Sequence, residues 1–202
     1  MKVLAIAALA LALSGTAARA ADPRYPNWPC TQAKVPEISL AAVWAGPALD
    51  DAETRWKNDT KITALVARLS ARKTPIDEAE KLVKDFLAAS SADKTTNAKL
   101  LFAGLFETLN AQRSQVMNGL ERVSRKQREA ADKIREEAIQ LQALQSATPR
   151  DEAKVEALSN ELIWKTRIFE DRNKVVRFVC EVPTAIDQRL FALGRVIQQE
   201  ME

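Results

Sequence analysis

The stretch from Ala98 to Gln145 reads AKLLFAGLFETLNAQRSQVMNGLERVSRKQREAADKIREEAIQLQALQ, and it decides the fold. It contains no proline, and Gly104 and Gly119 are its only glycines. Apolar residues recur along it with the heptad spacing of a helix that packs along another helix. The two heptad registers are Phe106, Leu120, Ile134 and Leu141, and Leu109, Val116, Val123, Ala130 and Leu144. The spacing therefore predicts one long helix over about 96–146.

A second heptad runs through the C-terminal part of the chain. Its registers are Val155, Leu162, Phe169, Val176, Leu190 and Ile197, and Leu158, Val179, Ile186 and Leu193. Only the five residues 146–150 separate the two patterns, and Pro149 favours a helix start there. Two long heptad helices with so short a connection predict an antiparallel coiled-coil hairpin. Because Pro183 lacks a backbone donor, the second helix, over about 149–201, is predicted to kink near residue 183.

Five polar residues interrupt these heptads: Arg113, Gln127 and Glu137 in the first, and Lys165 and Arg172 in the second. The position of the turn predicts that Ile134 faces Leu162 and that Leu141 faces Val155. The distal half of the hairpin, around residues 121–170, is therefore expected to hold only a narrow apolar seam.

Two shorter helices are predicted upstream, over about 52–72 and 75–90. Thr74 followed by Pro75 is typical of a helix start, with Thr74 as the capping residue. The base of the hairpin carries more apolar residues than one seam can use: Leu100, Leu101, Phe102, Leu105, Phe106, Leu109, Phe178, Val182, Leu190, Phe191 and Leu193. The predicted fold is therefore all-α, a long hairpin with two short helices packed at its base in the manner of a four-helix bundle.

Residues 21–50 are rich in proline and are expected to be extended. Five prolines fall here: Pro23, Pro26, Pro29, Pro36 and Pro47. Tyr25, Trp28 and Trp44 lie among them, and aromatic side chains in such a segment indicate that it lies on an apolar surface. That surface is either the core of the protein itself or a partner, for which Tyr25 and Trp28 are candidate contacts. Residues 51–202 then form a single helical domain.

Residues 1–20 have the pattern of a signal peptide. Lys2 precedes an apolar run from Val3 to Leu13. Ala18 and Ala20 then form the small-x-small pattern of a cleavage site, which predicts cleavage after Ala20. The run is too short to span a bilayer, although an uncleaved anchor is the alternative. No later segment of the sequence is predicted to span a membrane. The pattern predicts an exported, periplasmic protein.

Export changes the interpretation of Cys30 and Cys180, the two cysteines of the sequence. In an oxidising compartment they are expected to form an intramolecular disulfide. An intermolecular disulfide and two free thiols are the alternatives. The intramolecular bond would tie the N-terminal segment to the second long helix.

The composition excludes several classes of site. The sequence contains no histidine, which removes histidine-based catalytic triads and histidine-ligated zinc or haem. Five glycines leave little material for phosphate-binding loops. The net charge of +3 falls to +1 without Lys2 and Arg19, which argues against nucleic-acid binding. We therefore expect no catalytic residue, no metal site and no cofactor.

Basic side chains form a belt along the predicted hairpin: Arg122, Arg125, Lys126, Arg128, Lys165, Arg167, Arg172, Lys174 and Arg177. Such a belt can hold an acidic partner or anionic envelope material, and Arg125 and Arg172 are candidate contacts. The alternative is a solvated helical face with charges paired along the helix, such as Glu121 with Arg125.

Ile163 and Trp164 follow Leu162, which alone belongs to the seam. They are expected to point partly outward, where they are candidate contacts for a partner or for self-association. The alternative is that a neighbouring side chain such as Lys165 covers them.

The sequence thus favours a non-enzymatic periplasmic protein that binds other proteins, as an adaptor, accessory subunit or scaffold. The expected partners are proteins of the cell envelope, and a homo-oligomer is possible. In outline, a signal peptide before a helical body with a coiled-coil arm is similar to periplasmic holdase chaperones, which gives the second hypothesis. No motif of the sequence carries that similarity. An enzyme or a small-ligand carrier is the third hypothesis.

Overall fold

The computed structural model describes residues 22–90 and 93–201 of the chain, so the predicted signal peptide lies outside the described residues. Helices dominate, and the described residues form no strand. The helices are α1 Leu40–Val43, α2 Ala52–Arg55, α3 Thr60–Ser70, α4 Ile76–Ala88, α5 Lys94–Ser146, α6 Glu152–Val179 and α7 Glu181–Gln199. The prediction of an all-α fold in which one long helix packs against the C-terminal helices is confirmed.

Polar side chains join α5 to α6. Gln127 Nε2 donates to Asn173 Oδ1 at 3.0 Å, and Lys165 forms an ion pair with Glu137. Residue numbers rise along α5 as they fall along α6, so the two helices run in opposite directions. Three of the polar residues that interrupt the heptads therefore make contacts between these two helices.

Gln127 contacts two residues of α6 that lie one helical turn apart. Its Nε2 donates to the carbonyl of Phe169 at 3.1 Å as well as to Asn173. The helix α6 begins at Glu152, three residues after the predicted start. Asp151 caps it by accepting a hydrogen bond from the backbone N of Lys154 at 3.1 Å.

The short N-terminal helices also depart from prediction. In place of one helix over 52–72, the chain forms α2, a 3-10 turn over Trp56–Asn58, and α3. Asp59 causes the break, because its Oδ1 accepts from the backbone N of Lys61 at 2.8 Å and starts a new helix. Thr74 does not cap α4. Its hydroxyl donates to the carbonyl of Arg68 at 2.9 Å and so completes the end of α3.

The core lies where α3, α4 and α7 meet the first part of α5. Its largest fully buried side chains include Ile62, Leu69, Leu87, Leu101, Phe102, Leu105, Leu109, Leu190, Leu193 and Ile197. Trp44 stacks on Phe102 with ring centroids 4.2 Å apart, so the end of the N-terminal segment covers this core. Phe178 and Phe191, expected in the core, are 78% and 53% exposed, because their helices bury other faces.

The second long helix is interrupted at Cys180, where α6 ends and α7 begins. Pro183 has no backbone N–H to donate to the carbonyl of Val179, which weakens the helix at this point. Cys180 keeps helical backbone angles, with φ −58° and ψ −25°. The chain therefore forms two consecutive helices, α6 and α7, that meet at Cys180, one residue after Val179 and three before Pro183.

The segment that precedes α1 lies along α5. Arg128 donates to the carbonyl of Pro26 at 2.8 Å, and Lys34 Nζ lies 2.7 Å from Glu121 Oε1. The segment thus runs antiparallel to α5. Glu121 therefore forms its ion pair with Lys34, and not with Arg125 as the sequence suggested.

A disulfide fixes this segment to the end of α6. Cys30 and Cys180 have Sγ atoms 2.04 Å apart and Cα atoms 5.5 Å apart, which confirms the predicted pairing. Gln32 donates its side-chain amide to the carbonyl of Cys180, so a second bond holds the same junction. None of the helices in the described parts of the chain has both the length and the apolar character needed to cross a membrane.

Candidate interaction surface on α6

Four large apolar side chains are exposed along one face of α6. Trp164 is 64% exposed, Ile168 45%, Val175 59% and Phe178 78%. At 100° per residue these positions fall within an arc of about 80° and extend over about 21 Å of the helix. We call the four residues the α6 stripe.

The α6 stripe lies on roughly the opposite face of the helix from the contact with α5. Val155 and Leu162 are buried, and Phe169 and Val176 are half-buried, at positions facing away from the stripe. A helix that packs against one neighbour needs only one apolar face. The second apolar face of α6 is therefore unexplained by the contacts within the chain.

Ile163 and Trp164 are both exposed, each at 64%. Their outward orientation agrees with the sequence, and neither is covered by Lys165. The Lys165 ammonium is held instead by Glu137 and by Glu161, whose Oε1 lies 2.6 Å away. These two carboxylates raise the pKa of Lys165 above the ordinary lysine value, with Glu137 the larger cause.

The predicted basic belt divides into paired and unpaired side chains. Arg128 is held by the N-terminal segment, Lys165 by two glutamates, and Lys174 by Asp171 at 3.0 Å. Within the described residues, the exposed side chains of the belt that make no ion pair are Arg122, Arg125, Lys126, Arg167, Arg172 and Arg177. Three of these arginines lie on α6 together with Glu170, an exposed acid that makes no ion pair with a described residue, so positive side chains exceed negative ones among the unpaired charges of this part of α6.

Tyr25 and Trp28 lie elsewhere, in the N-terminal segment beside α5. Both are half-buried. Trp28 Nε1 donates to the carbonyl of Gln32 at 2.7 Å, and Lys34 Nζ lies 4.6 Å from the centre of the Tyr25 ring. The predicted contacts thus divide between this segment, α5 (Arg125) and α6, and only Ile163, Trp164 and Arg172 share a helix.

A cleft of about 460 Å³ opens between α2, α5 and the N-terminal segment. Glu37, Glu53 and Glu107 line it together with Leu49 and Phe106. Lys57 Nζ lies 2.6 Å from Glu107 Oε1, and this bond, with that from the Trp56 indole, lowers the Glu107 pKa. No cluster of three or more side chains suited to metal binding occurs among the residues that the structure describes.

The sequence reasoning missed most of the α6 stripe. It identified Trp164 but overlooked Ile168 and Val175, and it assigned Phe178 to the core. The signal was present as a second 3-4 spacing through residues 164, 168, 171, 175 and 178. This pattern was hidden because the first heptad already accounted for the helix.

Comparison with known proteins provides no family for this chain. No protein-family model, no curated protein and no solved structure matches it. Its function must therefore be inferred from the side chains described above.

Proposed function

We propose that this chain is a non-enzymatic, exported helical protein that acts by binding another protein, as an adaptor, accessory subunit or scaffold. The α6 stripe is the observation that carries the proposal. Its four members include Trp164 and Phe178, and exposed aromatic side chains of this size are enriched where proteins bind each other. Large apolar side chains exposed together on one face of a helix are typical of an interaction site.

The architecture that we propose for this role is an antiparallel coiled-coil arm, formed by α6 and the distal part of α5. The arm would project from a base of four-helix-bundle type, formed by α3, α4, α7 and the start of α5. The polar contacts of Gln127 and Glu137 along the arm support it, as does the concentration of fully buried side chains near Phe102 and Leu193. In such an arm one apolar face of α6 packs on α5 and the other stays exposed, so the exposed face is free to bind a helix of a partner.

We also propose that residues 1–20 are a signal peptide and that the protein works in the periplasm. The pattern from Lys2 to Ala20 supports export. The bonding distance between Cys30 and Cys180 supports an oxidising compartment, where disulfides persist.

Site-specific photocrosslinking tests the proposal. A photoreactive phenylalanine analogue replaces Trp164 in one variant and Phe191, which is 53% exposed on α7, in the control variant. After irradiation of intact cells, we expect one dominant crosslinked product from position 164 and no such product from position 191. No product from position 164, or the same product from both positions, would contradict the proposal.

A holdase chaperone is the second candidate, supported by the same exposed apolar surface. It predicts many crosslinked products from position 164 and suppression of the aggregation of unrelated unfolded proteins. The regular spacing of the α6 stripe favours a defined helical partner over unfolded clients, since unfolded segments have no matching period. A single product together with no effect on aggregation therefore favours the adaptor.

A further inference from the structure

We propose that the α6 stripe is the docking face for an amphipathic helix of another protein, and that acidic side chains flank the apolar face of that helix. This inference rests on the proposed function and specifies the chemistry of the partner. It follows from three features of α6: the spacing of its exposed apolar residues, the positions of its unpaired arginines and the placement of its acids.

The spacing favours a helical partner. The 3-4 series has five consecutive positions, 164, 168, 171, 175 and 178. Asp171 occupies the middle position, and the other four are Trp164, Ile168, Val175 and Phe178. This is the spacing by which one helix inserts its side chains between those of another. The series covers about two heptads, so it suits a partner helix of about 15 residues.

Asp171 gives the series a polar centre. Its Oδ1 lies 3.0 Å from Lys174 Nζ, so its charge is compensated within α6. A single polar position in an apolar heptad face is a common means of fixing the register of a partner. The partner is therefore expected to place a polar side chain opposite Asp171.

The arginines favour acidic flanks. Around the helix axis Arg172 lies about 80° from Trp164 on one side of the α6 stripe and Arg167 about 60° from it on the other. Arg177 lies about 140° away, too far round the helix to flank the stripe. Arg167 and Arg172 are exposed, and neither forms an ion pair with another described residue. A guanidinium group matches the two oxygens of a carboxylate, so glutamates or aspartates flanking the partner's apolar face would meet these two arginines.

The same charges argue against a second copy of the chain as the occupant. Two α6 stripes packed together would bring Arg167 and Arg172 of one copy towards those of the other. Like charges across an interface oppose association. An anionic bilayer is also disfavoured, because Asp171 lies within the stripe and Glu161 continues its 3-4 series towards the start of α6.

Two synthetic peptides of about 21 residues test the inference. Both carry leucine and isoleucine at the heptad core positions, and they differ only in having glutamate or lysine at every flanking position. Binding to the purified protein is measured by fluorescence anisotropy of the labelled peptide. We expect the glutamate peptide to bind about tenfold more tightly than the lysine peptide, and added salt to reduce the difference.

Variants of exposed residues assign the binding to the stripe. Trp164→Ser combined with Phe178→Ser should weaken binding of the glutamate peptide about tenfold or more. Phe191→Ser is the matched control and should leave it unchanged. Arg167→Glu combined with Arg172→Glu keeps the apolar residues and should reverse the preference towards the lysine peptide. Circular dichroism checks that each variant retains its helical content.

Several results would overturn the inference. These are equal binding of the two peptides, unchanged binding in the Trp164/Phe178 variant, and a dimer in sedimentation that this variant abolishes. Binding of phosphatidylglycerol vesicles without binding of the glutamate peptide would assign the face to a bilayer instead. The inference can also fail while the proposed function holds. A single crosslinked product from position 164 would support the proposed function, and equal binding of the two peptides would at the same time rule out an acidic partner helix.

Discussion

Arg113 Nε lies 2.7 Å from Asp187 Oδ1, and this ion pair joins α5 to α7. The same guanidinium donates to the carbonyl of Val35 at 2.6 Å, so it also holds the N-terminal segment. Arg113 is only 4% exposed. Burial raises the pKa of Asp187 above the ordinary aspartate value, and the charge of Arg113 opposes that effect. Arg113 interrupts the apolar heptad of α5 because its side chain joins α5 to both α7 and the N-terminal segment.

Replacing Arg113 should destabilise the fold. Arg113→Met leaves the Asp187 carboxylate without its counter-charge and the Val35 carbonyl without its donor, and we expect the free energy of unfolding to fall by about 2–4 kcal/mol. Chemical denaturation measures the loss. Arg122→Met, on an exposed residue of α5, is the control and should change the value by less than about 0.5 kcal/mol. Equal effects of the two substitutions would show that Arg113 has no special role.

Removing the disulfide should also destabilise the protein. The bond links residues separated by 150 positions, and we expect the Cys30→Ser/Cys180→Ser variant to lose about 2–5 kcal/mol of unfolding free energy. The N-terminal segment should become more sensitive to trypsin at Arg24 and Lys34. The single variant Gln32→Ala, which loses only the hydrogen bond to the Cys180 carbonyl, is the control and should be affected much less. An unchanged denaturation midpoint in the double variant would contradict the expectation.

Two glycines should resist replacement by alanine while a third accepts it. A Cβ at Gly194 would lie 2.9 Å from the carbonyl oxygen of Val43, and a Cβ at Gly104 would lie 2.7 Å from Val66 Cγ2. Both substitutions should cost about 1–3 kcal/mol. Gly119 has only an arginine nitrogen 3.9 Å away, and Gly119→Ala should gain about 0.5–1 kcal/mol from helix propensity. Thermal melts in which Gly119→Ala is no more stable than the other two variants would refute this packing.

The ion pair of Glu107 predicts a pH dependence. Its folded-state pKa lies below the ordinary value of 4.5, so the carboxylate stabilises the fold above that pH and this contribution is lost as the pH falls through the folded-state pKa. Because the Glu107 side chain is 48% exposed, the contribution should stay below about 1 kcal/mol. Glu107→Gln should therefore be slightly less stable than the unsubstituted protein at neutral pH and equal to it in strong acid. Denaturation curves in which the difference widens on acidification would contradict this sign.

The long helices could be predicted because their period extends over many turns. The heptads from Phe106 to Leu144 indicated a helix over about 96–146, and α5 spans Lys94–Ser146. Local choices were harder to predict. The side chain of Asp59 caps the start of α3, and the hydroxyl of Thr74 bonds to the end of α3 and not to the start of α4. Which backbone atom each side chain bonds to depends on the folded position of the chain. Such alternatives differ by about 1 kcal/mol, and the sequence pattern does not distinguish them.

The candidate site could be predicted only in part. Trp164 was identified because it stands beside a seam residue on a polar helix. Phe178 was misassigned because an apolar residue indicates burial without indicating which element covers it. In α6 the apolar residues outnumber the neighbours that can cover them, and that excess becomes visible only when the position of α5 is known.

The link between Cys30 and Cys180 has a consequence for the biogenesis of the protein. With two cysteines in the sequence, oxidation within one chain can give a single product, so an electron acceptor suffices and no isomerase is needed to reshuffle wrong pairs. Cys180 is synthesised 150 residues after its partner. If the chain is exported as proposed, the bond can close only after α5 and α6 have been translocated. An oxidised molecule is therefore one whose two long helices have already left the site of synthesis.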